Sequence, residues 1–254
     1  MIKIKKQVHS TDIVTVWYAE KTIDDEGIIQ YREAKFKDGD TEDFYTLLTD
    51  LTESEDQIKA HFTKGCRYEV NRAYRENVNF VIKSGADISD KELDGFLDFF
   101  KEFWLSKDMT PPDMDSLREE MKAYRDNGYL VISHADIDNE ISVYHTLLMD
   151  DNNARLLHSA SLFRLKTDLE GGTRKIIGMA NRALHFEEMK YFKDKGLRCY
   201  DWGGAGKGED VRSITEFKES FGGTPVTYYD FDQTNGIKAK MINSLSEIKH
   251  KIKG

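Results

Sequence analysis

Asn181, His185 and Glu188 recur at helical spacing among the apolar positions Ile177, Leu184, Met189 and Phe192, and at 100° per residue all of them fall on one stripe. Polar side chains on a buried stripe must find partners, so the string is either a closed hydrogen-bonding network or one wall of a site. His185 carries the imidazole that could act there as a general base. His145 and His158 fall on two further segments that read as neighbouring strands. Strict alternation puts His158 on one face with Leu156 and Ala160 and turns Ser159 and Ser161 to the other. His158 is then a substrate-binding residue or a histidine of the core or edge. Tyr144 offers a phenol that could protonate a leaving thiolate, or it packs. Asp201 stands where a strand meets a glycine-rich loop, a position suited to orienting or deprotonating an amine and equally to an Asx turn.

Two glycine-bearing segments could meet an anion. Gly203-Gly204-Ala205-Gly206-Lys207-Gly208 lacks the GxxxxGK[ST] spacing of a phosphate loop and reads as a plain loop, a lid or a backbone nest. Gly171-Gly172-Thr173-Arg174-Lys175 links a strand to a helix N-terminus, where unpaired N–H groups favour phosphate. Two basic clusters, Lys64 with Arg67, Arg72 and Arg75, and Arg155 with Arg164, Lys166, Arg174 and Lys175, could each hold a phosphate group or form a solvated face.

The composition narrows the classes. With 39% hydrophobic and 33% charged residues and only three prolines, the chain has the make-up of a folded globular protein. A formal net charge of -9 speaks against a broad nucleic-acid surface, which needs many cations to displace counterions. The basic start, MIKIKKQVHS, lacks the apolar run of a signal peptide, and no membrane-length apolar stretch follows, so a cytoplasmic protein is expected. Cys66 and Cys199 lack CxxC spacing, which predicts two reduced thiols and no metal site.

These residues need elements to hold them. Strands are expected over 12–20, 28–36, 45–51 and 78–82, with a helix from the Thr52-Glu53-Ser54-Glu55 cap through about Arg75. Behind the Ser89-Asp90-Lys91-Glu92 cap, Leu93, Phe96, Leu97, Phe100 and Trp104 mark an amphipathic helix with an aromatic inner face. Pro111-Pro112 interrupts it, and a polar helix runs from about Met114 to Arg125. Three strands follow as an antiparallel meander, 129–135, 141–149 and 155–163, turning at Asp138-Asn139 and Asp151-Asn152-Asn153. A long helix to Gly196, a strand 197–202, a helix 211–220, a strand 225–231 and a final helix 237–252 complete an α+β pattern with a mixed sheet.

Four segments then point to a family. Tyr200-Asp201-Trp202-Gly203-Gly204, Ile214-Thr215-Glu216-Phe217-Lys218-Glu219-Ser220-Phe221-Gly222-Gly223, Cys66-Arg67-Tyr68-Glu69-Val70-Asn71-Arg72-Ala73 and Tyr191-Phe192-Lys193-Asp194-Lys195-Gly196 together resemble the FemABX branch of the GNAT-like acyltransferases, in order and spacing. The resemblance covers about residues 45 to 231. It implies tandem GNAT-like domains with mixed, mostly antiparallel sheets: an abbreviated first domain over 1–110, a catalytic one over 111–235 and a helix, 236–254, packing back on the body. The acceptor would lie between the halves.

Members of that family pass amino acids from aminoacyl-tRNA to peptidoglycan precursors, and related shorter proteins pass acyl groups from coenzyme A to nucleotide-linked amino sugars. The short first half and the lack of a tRNA-binding helical hairpin favour acyl-CoA as co-substrate and an amino sugar carried by a nucleotide as acceptor. The tRNA-dependent enzyme and a catalytically silent GNAT-like binding module are the alternatives. Oligomeric state is left open, a homodimer included. By resemblance Lys218 would support charge during transfer, beside His185 and Asp201 as catalytic groups. Arg164, Gly171, Gly172, Thr173, Arg174, Lys175 and Gly178 would hold coenzyme A, although the segment departs from the common Arg/Gln-x-x-Gly-x-Gly/Ala pattern. Arg67, Trp104, Tyr144, His158, Asn181 and Trp202 would meet the substrate.

Overall fold

The structure, a computed structural model, describes residues 1–8, 11–163, 171–206, 208 and 211–236. In chain order the elements are β1 (Ile2–Val8), β2 (Thr11–Trp17), β3 (Gly27–Ala34), β4 (Glu42–Asp50), α1 (Glu55–Ala60), α2 (Lys64–Ala73), β5 (Val78–Ser84), α3 (Asp90–Leu105), α4 (Met114–Asp126), β6 (Leu130–Ile137), β7 (Glu140–Met149), β8 (Asn153–Ser161), α5 (Gly171–Asp194), β9 (Cys199–Asp201), α6 (Arg212–Glu219) and β10 (Thr224–Asn235). The expected α+β class with mixed, mostly antiparallel pairing is observed. The expected helix over 237–252 lies outside the described residues. No described helix is long and apolar enough to cross a membrane.

The chain divides into two compact units, Met1–Thr46 with the residues from Val226 on, and Leu47–Pro225. The boundary expected near residue 110 falls inside the second unit, in the connection between α3 and α4. In the first unit β1 pairs antiparallel with β2, β2 parallel with β3, and β3 antiparallel with β10. Its core includes Val14, Val16, Ile29, Tyr31 and Phe231, with the Tyr31 and Phe231 rings stacked at 4.6 Å. This unit joins strands from both ends of the chain, so reading elements in order could not assemble it.

In the second unit β6, β7 and β8 form the expected meander, β5 adds antiparallel to β6, and β9 lies between β8, parallel, and β4, antiparallel. Asp138 and Asn139 take φ of 52° and 65°, the left-handed pair that a two-residue hairpin needs. The single helix expected after Ser54 is two. Thr63 accepts a hydrogen bond from the Cys66 N–H and starts α2, while Arg67 Nη1 donates to the carbonyls of Ala60 at 2.7 Å and Phe62 at 2.6 Å in the break. Ser89 and Glu92 form the expected capping box, and Leu93, Phe96, Leu97 and Phe100 are the buried face of α3.

Helices cover both faces of this sheet. Tyr144 on β7 packs against Phe96 and Phe99 of α3, whereas the next residue, His145, bonds to Asn181 and Glu188 of α5. Successive residues of a strand point to opposite faces, so α3 and α5 lie on opposite sides. The core on the α5 side brings together Leu147, Leu156, Phe186, Met189, Phe192 and Trp202. Truncating a buried aromatic there, such as Phe192, would cost about 3–5 kcal/mol.

Candidate functional site

The sheet of the second unit opens between two strands. β8 and β9 pair only through Asn153, Arg155 and the residue between them, against Cys199 to Asp201. Gly203 then turns away at φ 63°, so close to β8 that a side-chain Cβ would lie 2.0 Å from the Leu156 carbonyl oxygen. β8 continues to Ser161 with no further strand partner on that side among the described residues. Its backbone edge is therefore available to an extended ligand, in the way one strand accepts another.

A bulge at the same place decides which side chains face where. Thr146 is opposite His158 and Leu147 is opposite Leu156, so Leu157 is an extra residue on β8. His158 and Leu156 consequently face opposite sides, which corrects the expectation from strict alternation that they share one. Leu156 joins the core under α5, whereas His158 faces α3, with Nδ1 2.9 Å from Thr146 Oγ1 and its ring centroid 4.8 Å from that of Phe100. Burial, reinforced by Arg155, pushes His158 down to about 4, so it is neutral at physiological pH.

On the other face the polar stripe of α5 closes on itself. Glu188 Oε2 accepts from the Tyr200 hydroxyl at 2.7 Å, Oε1 lies 2.7 Å from His145 Nδ1, and Ser133 donates to Oε1 as well. Since Tyr200 gives its hydrogen to Glu188, its oxygen accepts from His185 Nδ1 at 2.9 Å. Asn181 Oδ1 meets His145 Nε2 at 2.8 Å, and the two imidazoles stack at 4.2 Å. Burial favours a protonated Glu188, but the charge and hydrogen bond of His145, then His185, hold its carboxyl well below the usual range. Burial, then His145, pushes His185 down to about 4, and burial followed by Glu188 pushes Tyr200 up. Of the two alternatives read from the sequence, the geometry is that of the network: His185, Glu188 and Tyr200 are at most 1% exposed. His145, His185 and Glu188 also offer atoms within 4.8 Å of one another, a spacing a metal ion could use, but the short hydrogen bonds already engage them.

At the mouth of the opening, Asp201 Oδ1 accepts from the Gly203 N–H at 2.9 Å, the Asx turn considered above. Asp201 is opposite Arg155 in the β8–β9 ladder. Lys218 of α6 is buried and reaches the carbonyls of Trp202 at 2.6 Å, Gly203 at 3.3 Å and Gly204 at 2.5 Å.

The other expected site residues are dispersed. Trp202 is wholly buried and donates Nε1 to Thr49 at 3.1 Å, which makes it a core residue. Arg67 is engaged by the α1–α2 break. Trp104 lies on α3 with its ring 6.1 Å from that of Phe100, and its buried Nε1 has no hydrogen-bond partner among the described residues. Tyr144, pushed up to about 12 by burial, then by Asp136 and Glu92, lines a small cleft with Lys83, Glu92 and His134. Gly171 to Lys175 and Gly178 lie within α5, so Gly171 and Gly172 are helical where a loop leading into the helix was expected, and Arg164 lies outside the described residues. His134, with Nδ1 2.5 Å from Asp136 Oδ1 and its ring 5.4 Å from that of Tyr144, was not singled out from sequence. Its parity with Tyr144 across β6 and β7 was the available signal. The Tyr200 hydroxyl was missed because the tyrosine was read only as part of a motif.

No sequence-family model matches the chain, and no curated protein sequence matches it. Solved structures do. FemX superposes with a TM-score of 0.59 at 12% identity over 79% of this chain, which spans 63% of FemX, less than two thirds of it. The C-terminal domain of a lysylphosphatidylglycerol synthetase candidate from Agrobacterium fabrum gives 0.56 at 12% identity, over 97% of this chain and 84% of that one. L-PGS from Bacillus licheniformis gives 0.52 at 13% identity, over 85% and 71%. The chain thus shares the fold of FemX, as its motifs led one to expect.

Proposed function

We propose that this protein is an N-acyltransferase that takes an acyl group from acyl-CoA and passes it to the amino group of a nucleotide-linked amino sugar, in the synthesis of surface polysaccharide. The observation that carries the proposal is the parting of β8 and β9 after Arg155 and Asp201. An amide-bearing arm such as pantetheine can hydrogen-bond along the unmatched edge of β8, and its pyrophosphate can meet the first turns of α5 at Gly171 to Lys175. The amine would approach from the α3 face, where neutral His158 can take its proton, Tyr144 can protonate the departing thiolate, and Trp104 offers an N–H donor. Asp201, at the parting itself, would orient the amine. Buried His185 would act indirectly, by holding Tyr200 and the end of β9.

Thermal-shift titration with coenzyme A thioesters and with nucleotide amino sugars tests this, because a ligand bound only by the folded chain stabilises it by about 2.7 kcal/mol at a hundredfold excess over Kd. Free thiol released only when both substrates are present is the expected outcome of the matching assay. No shift and no thiol with any thioester would sink it. Fold similarity to FemX over most of the chain favours a second donor, aminoacyl-tRNA, and specific binding of charged tRNA in place of thioesters would select it.

A further inference from the structure

Lys218 is the residue that the family resemblance makes a charge-supporting group, yet its ammonium faces protein backbone. Three consecutive carbonyls, from Trp202, Gly203 and Gly204, converge on Nζ. An ammonium has three hydrogens, so a direct bond from Lys218 to a reacting oxygen would require one of these to break. Gly203 and Gly204 take φ of 63° and 98°, conformations that glycine adopts without a side-chain penalty and that let the loop curl its carbonyls round the ammonium.

Planar trans peptides make the consequence definite. In each peptide the C=O and the following N–H point in opposite directions. With the Gly204 carbonyl on Lys218, the Ala205 N–H must point away from it. That N–H has no hydrogen-bond partner among the described residues. The corresponding Gly203 N–H is taken by Asp201. The loop is also fixed beyond this point. Thr215 Oγ1 donates to the Gly206 carbonyl at 2.9 Å, and a Cβ on Gly206 would lie 2.3 Å from Val211 Cγ2.

We propose that Lys218 is a positioning residue, which turns the Trp202–Gly204 carbonyls inward so that the outward Ala205 N–H is the donor to the acyl oxygen. The inference rests on the acyl-transfer function proposed above. In that step the amine lone pair forms the C–N bond and the carbonyl π pair moves onto oxygen, where the Ala205 N–H meets the developing charge. Collapse restores C=O and breaks the C–S bond, whose electron pair leaves on sulfur. The proton lost by nitrogen ends on that thiolate.

Two measurements on the full chain decide it. The first needs no substrate: amide hydrogen exchange of residues 202–206 in Lys218→Met and Lys218→Gln. Methionine removes every donor and should speed exchange there, whereas the glutamine amide can still donate to two carbonyls and should keep the loop protected. Unchanged protection in Lys218→Met overturns the proposal, whatever the enzyme's substrate. The second is turnover of acetyl-CoA with a nucleotide amino sugar, by the three lysine-site proteins and by a chain with lactic acid in place of Ala205, whose ester removes only that N–H. The ester and Lys218→Met should each lower kcat by about a hundredfold with KM little changed, and Lys218→Gln by no more than about tenfold. An ester variant that turns over like the parent overturns it. So does a Lys218→Gln protein with a protected loop that is as slow as Lys218→Met, because charge rather than position would then be what Lys218 provides. If the parent itself transfers nothing from any thioester, the proposed function fails while the exchange measurement still judges the clamp.

Discussion

Tyr200 and Glu188 meet at 2.7 Å, hydroxyl to carboxylate, with neither side chain exposed to solvent. The bond ties β9 to the middle of α5 and fixes which nitrogen of His185 carries its hydrogen. Tyr200→Phe keeps the ring and removes the hydroxyl, leaving Glu188 one donor short and His185 Nδ1 without its closest acceptor. A loss of about 1–3 kcal/mol is expected in urea unfolding, with the m-value unchanged. An equally stable Phe variant would mean that the network is not closed as described.

Acid should unfold the protein earlier than its carboxylates alone require. His158 and His185 are each pushed down to about 4 by burial, with Arg155 acting on the first and His145 on the second. A histidine in the unfolded chain titrates near about 6.5, so below that pH the unfolded state binds more protons than the folded one. Both histidines therefore contribute stability that is present above about pH 6.5 and is lost as pH falls towards about 4, at up to about 1.4 kcal/mol per pH unit each. Glu188, held low, adds a loss that begins as pH falls through the ordinary carboxylate range and continues below it. Urea midpoints measured across this window should fall steeply, and less steeply in His158→Gln. A flat profile would contradict the buried, neutral state of both rings.

Gly203→Ala should cost stability out of proportion to one methyl group. The position has φ 63°, and the new carbon would sit 2.0 Å from the Leu156 carbonyl. Strain of about 1–3 kcal/mol from the backbone alone is joined by a clash that only movement of β8 or of the loop relieves. Gly39, with φ 68° but open space around its Cβ position, is the control: Gly39→Ala should show the backbone effect without the clash. Thermal midpoints of the two variants, read side by side, check this.

For the proposed chemistry, His158→Gln should lower kcat by about a hundredfold or more while KM for the thioester changes little. Steady-state kinetics with saturating acetyl-CoA measure it. If His185→Gln were instead the slow variant and His158→Gln normal, the proton would be leaving through the α5 face.

Much of the fold was legible because its signals are local. The Ser89–Glu92 cap and the four buried positions of α3 are properties of contiguous residues, as is the Asp138-Asn139 turn that folds β6 onto β7. The stripe of Asn181, His185 and Glu188 was equally visible, and the alternatives it posed were the right ones. What the sequence concealed is non-local. Nothing near Thr63 announces that Arg67 will fold back on Ala60 and Phe62, so α1 and α2 were read as one helix. β1 pairs with β2 through residues whose basic character drew attention away from Ile2 and Ile4, both buried. Lys218 stood out by family resemblance, but its three carbonyl partners lie 14 to 16 residues away along the chain, in a loop whose curvature depends on two glycines.

The extra residue at Leu157 makes the chemistry of β8 a matter of arithmetic. Up to Leu156 the even-numbered side chains belong to one side of the sheet, and from His158 on they belong to the other. Deleting Leu157 would make Leu156 and His158 consecutive and the strand regular, with the imidazole still opposite Thr146 and facing α3, whereas an unbulged strand of the same length would turn residue 158 into the apolar layer beneath α5. The proposed site is thus written in a count as well as in an alphabet, and homologues aligned by residue type across this strand without a gap of one would match side chains that never see the same solvent.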